Sequence, residues 1–76
     1  MKVVFAELAN KVFLRVPRFD DYDIQRIAVG ELPRTGCHVE LELDGDYLKV
    51  TLVDPRTDLK SVSLIPQTNI TLLRVE

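Results

Sequence analysis

Residues Gly36–Val53, GCHVELELDGDYLKVTLV, decide the fold class. Two runs of alternating apolar and polar residues flank Asp44-Gly45. An Asp-Gly pair between such runs is a strong hairpin signal, because a type I′ turn needs positive φ at both central positions. With Asp44 and Gly45 as the two loop residues, Leu43 faces Asp46, Leu41 faces Leu48, Val39 faces Val50 and Cys37 faces Leu52. Side chains alternate along a strand, so these residues share one face, which is almost wholly apolar. The other face pairs Glu42 with Tyr47, Glu40 with Lys49 and His38 with Thr51; Glu40–Lys49 is an opposite-charge pair of the kind that mildly stabilises a sheet. A slip of one residue would turn every apolar side chain to water.

The flanking sequence supplies further short strands. Lys2–Ala6 and Lys11–Val16 are β-prone runs rich in Val and Phe, and they predict a hairpin around Glu7–Asn10. Val12, Leu14 and Val16 would share a face opposite Phe13 and Arg15. The rival is one amphipathic helix over residues 3–14, with Val4, Leu8 and Val12 on a stripe; β-branched content and Pro17 favour strands. Pro17–Asp21 reads as a loop. In residues 20–29, DDYDIQRIAV, Asp20 or Asp21 could cap a short helix near residues 20–28, or Ile24–Val29 could be a strand. Gly30–Gly36 is a loop leading into the central hairpin. Asp54-Pro55 begins a turn of type I character. Leu59–Ile65 is a strand with Val62 and Leu64 on one face, Pro66–Asn69 breaks it, and Ile70–Val75 is the last strand. The sum is one mainly β domain over residues 1–76. It is a small barrel or rolled antiparallel sheet of five to six strands, with at most one short helix. Closure would remove sheet edges that so small a chain can ill expose.

Composition bounds the function. The chain has 76 residues, 46% hydrophobic, with a formal charge of −2. A domain of this size has a total stability of roughly 4–11 kcal/mol. Small domains often add disulfides, metals or partner subunits. With one Cys and one His, no intrachain disulfide forms and a structural zinc site lacks ligands. Self-association is the available reinforcement. Basic and acidic residues are interspersed, unlike the basic surface of a protein that lives on phosphate attraction. The apolar run at the N-terminus is broken by Glu7, Asn10 and Lys11 and does not make a signal peptide. A lone Cys suits a reducing cytoplasm. Asn69-Ile70-Thr71 matches a glycosylation sequon by chance.

Few residues suggest chemistry. Alternation puts Cys37 and His38 on opposite faces, which separates a nucleophile from a base. Asp20, Asp21 and Asp23, with Asp44 and Asp46, lack the spacing of a calcium loop and read as capping and turn residues. No phosphate loop, nucleophile elbow or metal-ligand spacing occurs, so the expectation is a non-enzyme without metal or cofactor. Phe13, Arg15, Phe19, Tyr22 and Tyr47 are the candidate partner-binding residues, since Tyr and Arg are enriched at binding hot spots. Phe13, Tyr47, Val53 and Leu73 are expected on the outside of the sheet. The alternative is a nucleic-acid-binding regulator using Lys11, Arg15, Arg18 and Arg26 beside aromatic rings.

The passage LIPQTNITLL resembles the end of an SH3-like small barrel, where a strand runs into a one-turn 3-10 helix and a short closing strand. The Pro33…Gly36…Val39 entry is similar to that of SH3-like barrels. The resemblance covers about half the chain and implies architecture. There is no Trp and no aromatic-rich acidic loop, so no polyproline groove is implied. A compact barrel without motifs also resembles the small accessory proteins of bacteriophages. The functional expectation is a binding module whose partner is a protein, a modulated host protein or a second copy of itself, with no membrane and no small-molecule substrate.

Overall fold

A computed structural model describes residues 2–18 and 22–76. Among them the chain forms seven antiparallel strands in one sheet and no α-helix. The strands are β1 (Lys2–Leu14), β2 (Tyr22–Ala28), β3 (Gly30–Glu31), β4 (His38–Asp44), β5 (Tyr47–Val53), β6 (Lys60–Pro66) and β7 (Ile70–Val75). A 3-10 turn, Gln67–Asn69, joins β6 to β7. Hydrogen bonding follows the order β2-β1-β4-β5-β6, with β3 on β4 and β7 on β1. The sheet rolls on itself, because β1 carries β2 and the second half of β4 on one edge and β7 on the other.

The central hairpin keeps the expected faces but not the expected register. Asp44 pairs with Tyr47, Leu43 with Leu48, Leu41 with Val50 and Val39 with Leu52, so the loop residues are Gly45 and Asp46. Gly45 has φ +60° and Asp46 does not share the positive sign. Positive φ at the first loop position alone is the type II′ pattern, which needs Gly there and nothing special after it. The change moves each pair by two residues, an even step, so inside remains inside. Val39, Leu41, Leu48, Val50 and Leu52 are all buried. Lys49 faces Glu42 instead of Glu40.

Residues 2–14 form neither the expected hairpin nor a helix. They are one long strand interrupted by bulges. Val3 is buried on the odd phase, and Ala6, Leu8 and Leu14 on the even phase. The phase changes where the β7 register shifts between Val3 and Phe5. A larger irregularity sets Leu8–Lys11 against Gln25 alone. Bulged backbone needs other partners. The Gln25 amide donates to the carbonyls of Leu8 and Ala9 at 3.3 and 3.2 Å. Asn10 N–H donates to Asn69 Oδ1 at 2.9 Å, and Asn69 Nδ2 donates back to the Asn10 carbonyl at 3.2 Å. Asn69 thus pairs with Asn10 as a strand residue would.

Residues 22–28 are strand, and the short-helix reading of this segment is set aside. Ile24 and Ile27 are both buried although three apart, because the same irregularity in β1 sets Ile27 against Ala6 and Ile24 against Val12, both on the core side. The two-residue β3 brings the count to seven instead of five or six.

Candidate functional site

The core side of the sheet is apolar, and its outer side changes character from β4 to β6. Register places Asp44, Tyr47 and Pro66 in one row, then Glu42, Lys49 and Leu64, then Glu40, Thr51 and Val62, then His38, Val53 and Lys60. The β4 end of these rows is mostly acidic; the β6 end is mostly apolar. Val62 is 54% and Leu64 55% exposed, with Tyr47 beside them at 44%. On β6 it is Ser61, Ser63 and Ile65 that turn inward, and Ile65 is buried. A strand that points Ser inward and Val and Leu outward inverts the usual amphipathic pattern. A contiguous exposed apolar set of this kind marks an interaction surface.

β6 is also the last strand of the hydrogen-bonded path. Gln67 N–H donates to the Asp46 carbonyl at 2.9 Å, and Asp54 N–H donates to the Leu59 carbonyl at 2.9 Å. Both bonds lie on the β5–β6 register and join even positions of the β5 side to odd positions of the β6 side. Since hydrogen-bonded and non-hydrogen-bonded pairs alternate, Ser61, Ser63 and Ile65 bond to β5. The N–H and C=O of Val62 and Leu64 therefore face away from β5, along an edge that pairs with no other strand among the described residues. Pro66, also on that edge, has no N–H to leave unpaired.

The residues singled out in the sequence are scattered. Phe13 is 69% exposed on the outer face of β1, whereas Tyr22 pairs with Leu14, packs against the core and carries the Arg34 guanidinium 5.7 Å from its ring centre. Arg15 is exposed, and its carbonyl accepts a hydrogen bond from the Ser61 hydroxyl at the start of β6. Tyr47 lies opposite Pro66 at the other end of that strand. Five strand residues, roughly 17 Å, separate those ends. Phe19 lies outside the described residues, as do Asp20 and Asp21. Val53 is half-buried in the outer row, while Leu73, expected outside, pairs with Ala6 and packs against the core.

Three of the four basic residues singled out in the sequence, Lys11, Arg18 and Arg26, each lie within 4.0 Å of a carboxylate. Lys11 Nζ is 3.8 Å from Asp23, and Arg26 Nε is 4.0 Å from Glu7. Arg18 Nη1 is 3.6 Å from Asp54. Asp54 is fully buried at the β5–β6 turn, and its Oδ1 accepts from the Arg56 backbone N–H at 3.0 Å and from Arg56 Nε at 3.1 Å. The backbone bond is the main cause holding its pKa below the ordinary carboxylate value; the guanidinium adds to it, and together they outweigh the burial that opposes ionisation. Arg56 Nη2 donates to the Thr35 carbonyl at 3.1 Å, tying this turn to the loop before β4. That loop is closed by Thr35, whose hydroxyl donates to the Leu32 carbonyl and accepts from Cys37 N–H.

Cys37 is buried and His38 exposed, on opposite faces as alternation requires. Among the described residues, no group of three or more His, Cys, Asp and Glu side chains could hold a metal ion, and no helix is long and apolar enough to cross a membrane. An open cleft of about 430 Å³ lies where β1 leaves β4, lined by Lys2, Val4, Val29, Glu40, Glu42 and Lys49 among others. It brings carboxylates and lysines together beside Thr51. Sequence reading identified Tyr47 but missed Val62 and Leu64 as surface residues. Alternation gives them a common face without saying which side is wet. The inward Ser61 and Ser63 are the signal. Comparison with protein-family models, with curated proteins and with solved structures finds no match to this chain.

Proposed function

We propose that this chain is a small non-enzymatic binding module of SH3-like build that acts by protein–protein contact through the outer face of β5 and β6. The inverted amphipathicity of β6 carries the reading: Val62 and Leu64 lie exposed beside Tyr47, where serines would be expected. The architecture part rests on the strand, 3-10 turn and closing strand at Lys60–Val75, with β7 returned to β1. An aromatic ring and two aliphatic side chains next to an unpaired strand edge suit docking of another chain by hydrophobic contact and strand addition. Nucleic-acid binding has less support, because Lys11, Arg18 and Arg26 each face a carboxylate.

The test is affinity capture from the cell that makes the protein, with the wild type and a folded Leu64→Ser variant as paired baits. The reading expects proteins retained by the wild type and lost from the variant. Equal recovery on both baits refutes it. Gel shifts with single- and double-stranded oligonucleotides address the alternative; salt-sensitive binding weakened by Arg15→Ala would support it.

A further inference from the structure

The open edge of β6 is complementary to itself. Ser61-Val62-Ser63-Leu64-Ile65 carries no charge, whereas exposed edges are usually protected by inward charges, bulges or Pro. Lys60 and Pro66 stand only at its ends. Two copies of β6 can be laid antiparallel about a two-fold axis through Ser63. Val62 then faces Leu64 of the other copy, and Leu64 faces Val62. The N–H and C=O of both residues point off the edge, so each of these facing pairs exchanges two hydrogen bonds, four in all, and each Lys60 N–H can donate to the facing Pro66 carbonyl. On the outer face the exposed Val62 and Leu64 side chains of the two copies form one apolar block, with Thr51 and Lys49 directly beside them in the next strand and Tyr47 and Val53 at the diagonal positions beyond. Lys60 falls opposite Pro66, so no like charges oppose each other. The register centred on Val62 would set Leu64 against Lys60, and the one centred on Leu64 would set Val62 against Pro66, which has no N–H to exchange.

We infer that the protein forms a two-fold dimer by antiparallel β6–β6 pairing centred on Ser63, making one sheet continuous across both copies. The inference rests on the reading of the β5–β6 face as an interaction surface and names a second copy as the occupant.

Light scattering across a concentration series measures the mass, and disulfide trapping measures the register. At the axis, Ser63 meets its own mate in a non-hydrogen-bonded pair, with Cα atoms about 4.5 Å apart, within reach of a disulfide. Ser61 is displaced from its mate by four strand residues, about 13 Å. Under mild oxidation Ser63→Cys should give a covalent dimer and Ser61→Cys should not; the native Cys37 is buried. Leu64→Pro removes one outward N–H per copy and none bonded to β5, so it should weaken the dimer between about 5- and 150-fold. If circular dichroism shows that this variant is unfolded, Val62→Lys, which puts a charge in the apolar block, takes its place and should also give monomers. The inference is overturned by a wild type that stays monomeric, by equal trapping at positions 61 and 63, or by a folded edge variant as dimeric as the wild type. A monomeric wild type whose captured partners are lost on Leu64→Ser would sink this dimer alone. A trapped dimer with equal capture on both baits would sink the capture of other proteins alone.

Discussion

Replacing Asn69 by Ala should destabilise the protein by about 1–2 kcal/mol, although the residue is only half-buried. Asn69 supplies an acceptor to Asn10 N–H at 2.9 Å and a donor to the Asn10 carbonyl at 3.2 Å. A third contact, from Asn10 Nδ2 at 3.5 Å, is too long to add much. Each good bond is worth roughly 0.5–1.5 kcal/mol net, and water can re-solvate the freed groups, so the lower half of the range applies. For a domain of this size the melting temperature should fall by roughly 4–16 °C. Asn69→Asp separates the two bonds. It keeps the acceptor, loses the donor and sets a carboxylate against a carbonyl, so above about pH 5 it should be at least as damaging as Ala, recovering partly when protonated. Urea and thermal denaturation followed by circular dichroism measure both. An Ala variant within about 0.5 kcal/mol of wild type, the range of an ordinary surface substitution, would refute the idea that Asn69 replaces a missing strand partner of β1.

Asp54 has a depressed pKa, so its contribution to stability is complete above the ordinary carboxylate value, about 4, and is lost as pH falls through the lower folded value; Asp54→Asn should flatten the acid limb of a stability–pH curve, and an unchanged limb would contradict the assignment. Leu48 is fully buried between Leu43 and Ile65, and Leu48→Ala should cost about 2–5 kcal/mol in urea unfolding, a large share of the total. The Cys37 thiol has no solvent exposure, so a thiol reagent should label it only at the rate of opening; prompt labelling in native buffer would show that the loop Leu32–Cys37 does not seal it.

The sequence makes the β4–β5 faces legible because two signals, alternation and turn chemistry, act on neighbouring residues. It misplaces the register because a Gly in a two-residue loop can occupy either position: Gly45 serves a I′ turn as second residue and a II′ turn as first. β1 and β2 are hard to read for one shared reason. Their bulges break the period of two, so Ile24 and Ile27 imitate helical spacing and Leu8–Lys11 imitates a turn. What makes the bulges tolerable comes from Gln25 and from Asn69, the latter 59 residues from Asn10, and no local pattern announces such partners. The outward face of β6 is hidden likewise. Val62 and Leu64 look like core residues until the β5 register turns Ile65 inward in their place.

The return of β7 to β1 shapes how the molecule assembles. Leu8 meets Ile70 and Val3 meets Val75, so the pairing that closes the roll spans most of the chain, whereas the β4–β5 ladder closes over two residues. Loop-closure entropy rises with separation, and contacts between distant residues slow folding. The hairpin at Gly45 is therefore expected to nucleate, with β7 docking last. Until it does, one flank of β1 stays an unsatisfied ladder, and the half-built intermediate is the species most exposed to chaperones and proteases.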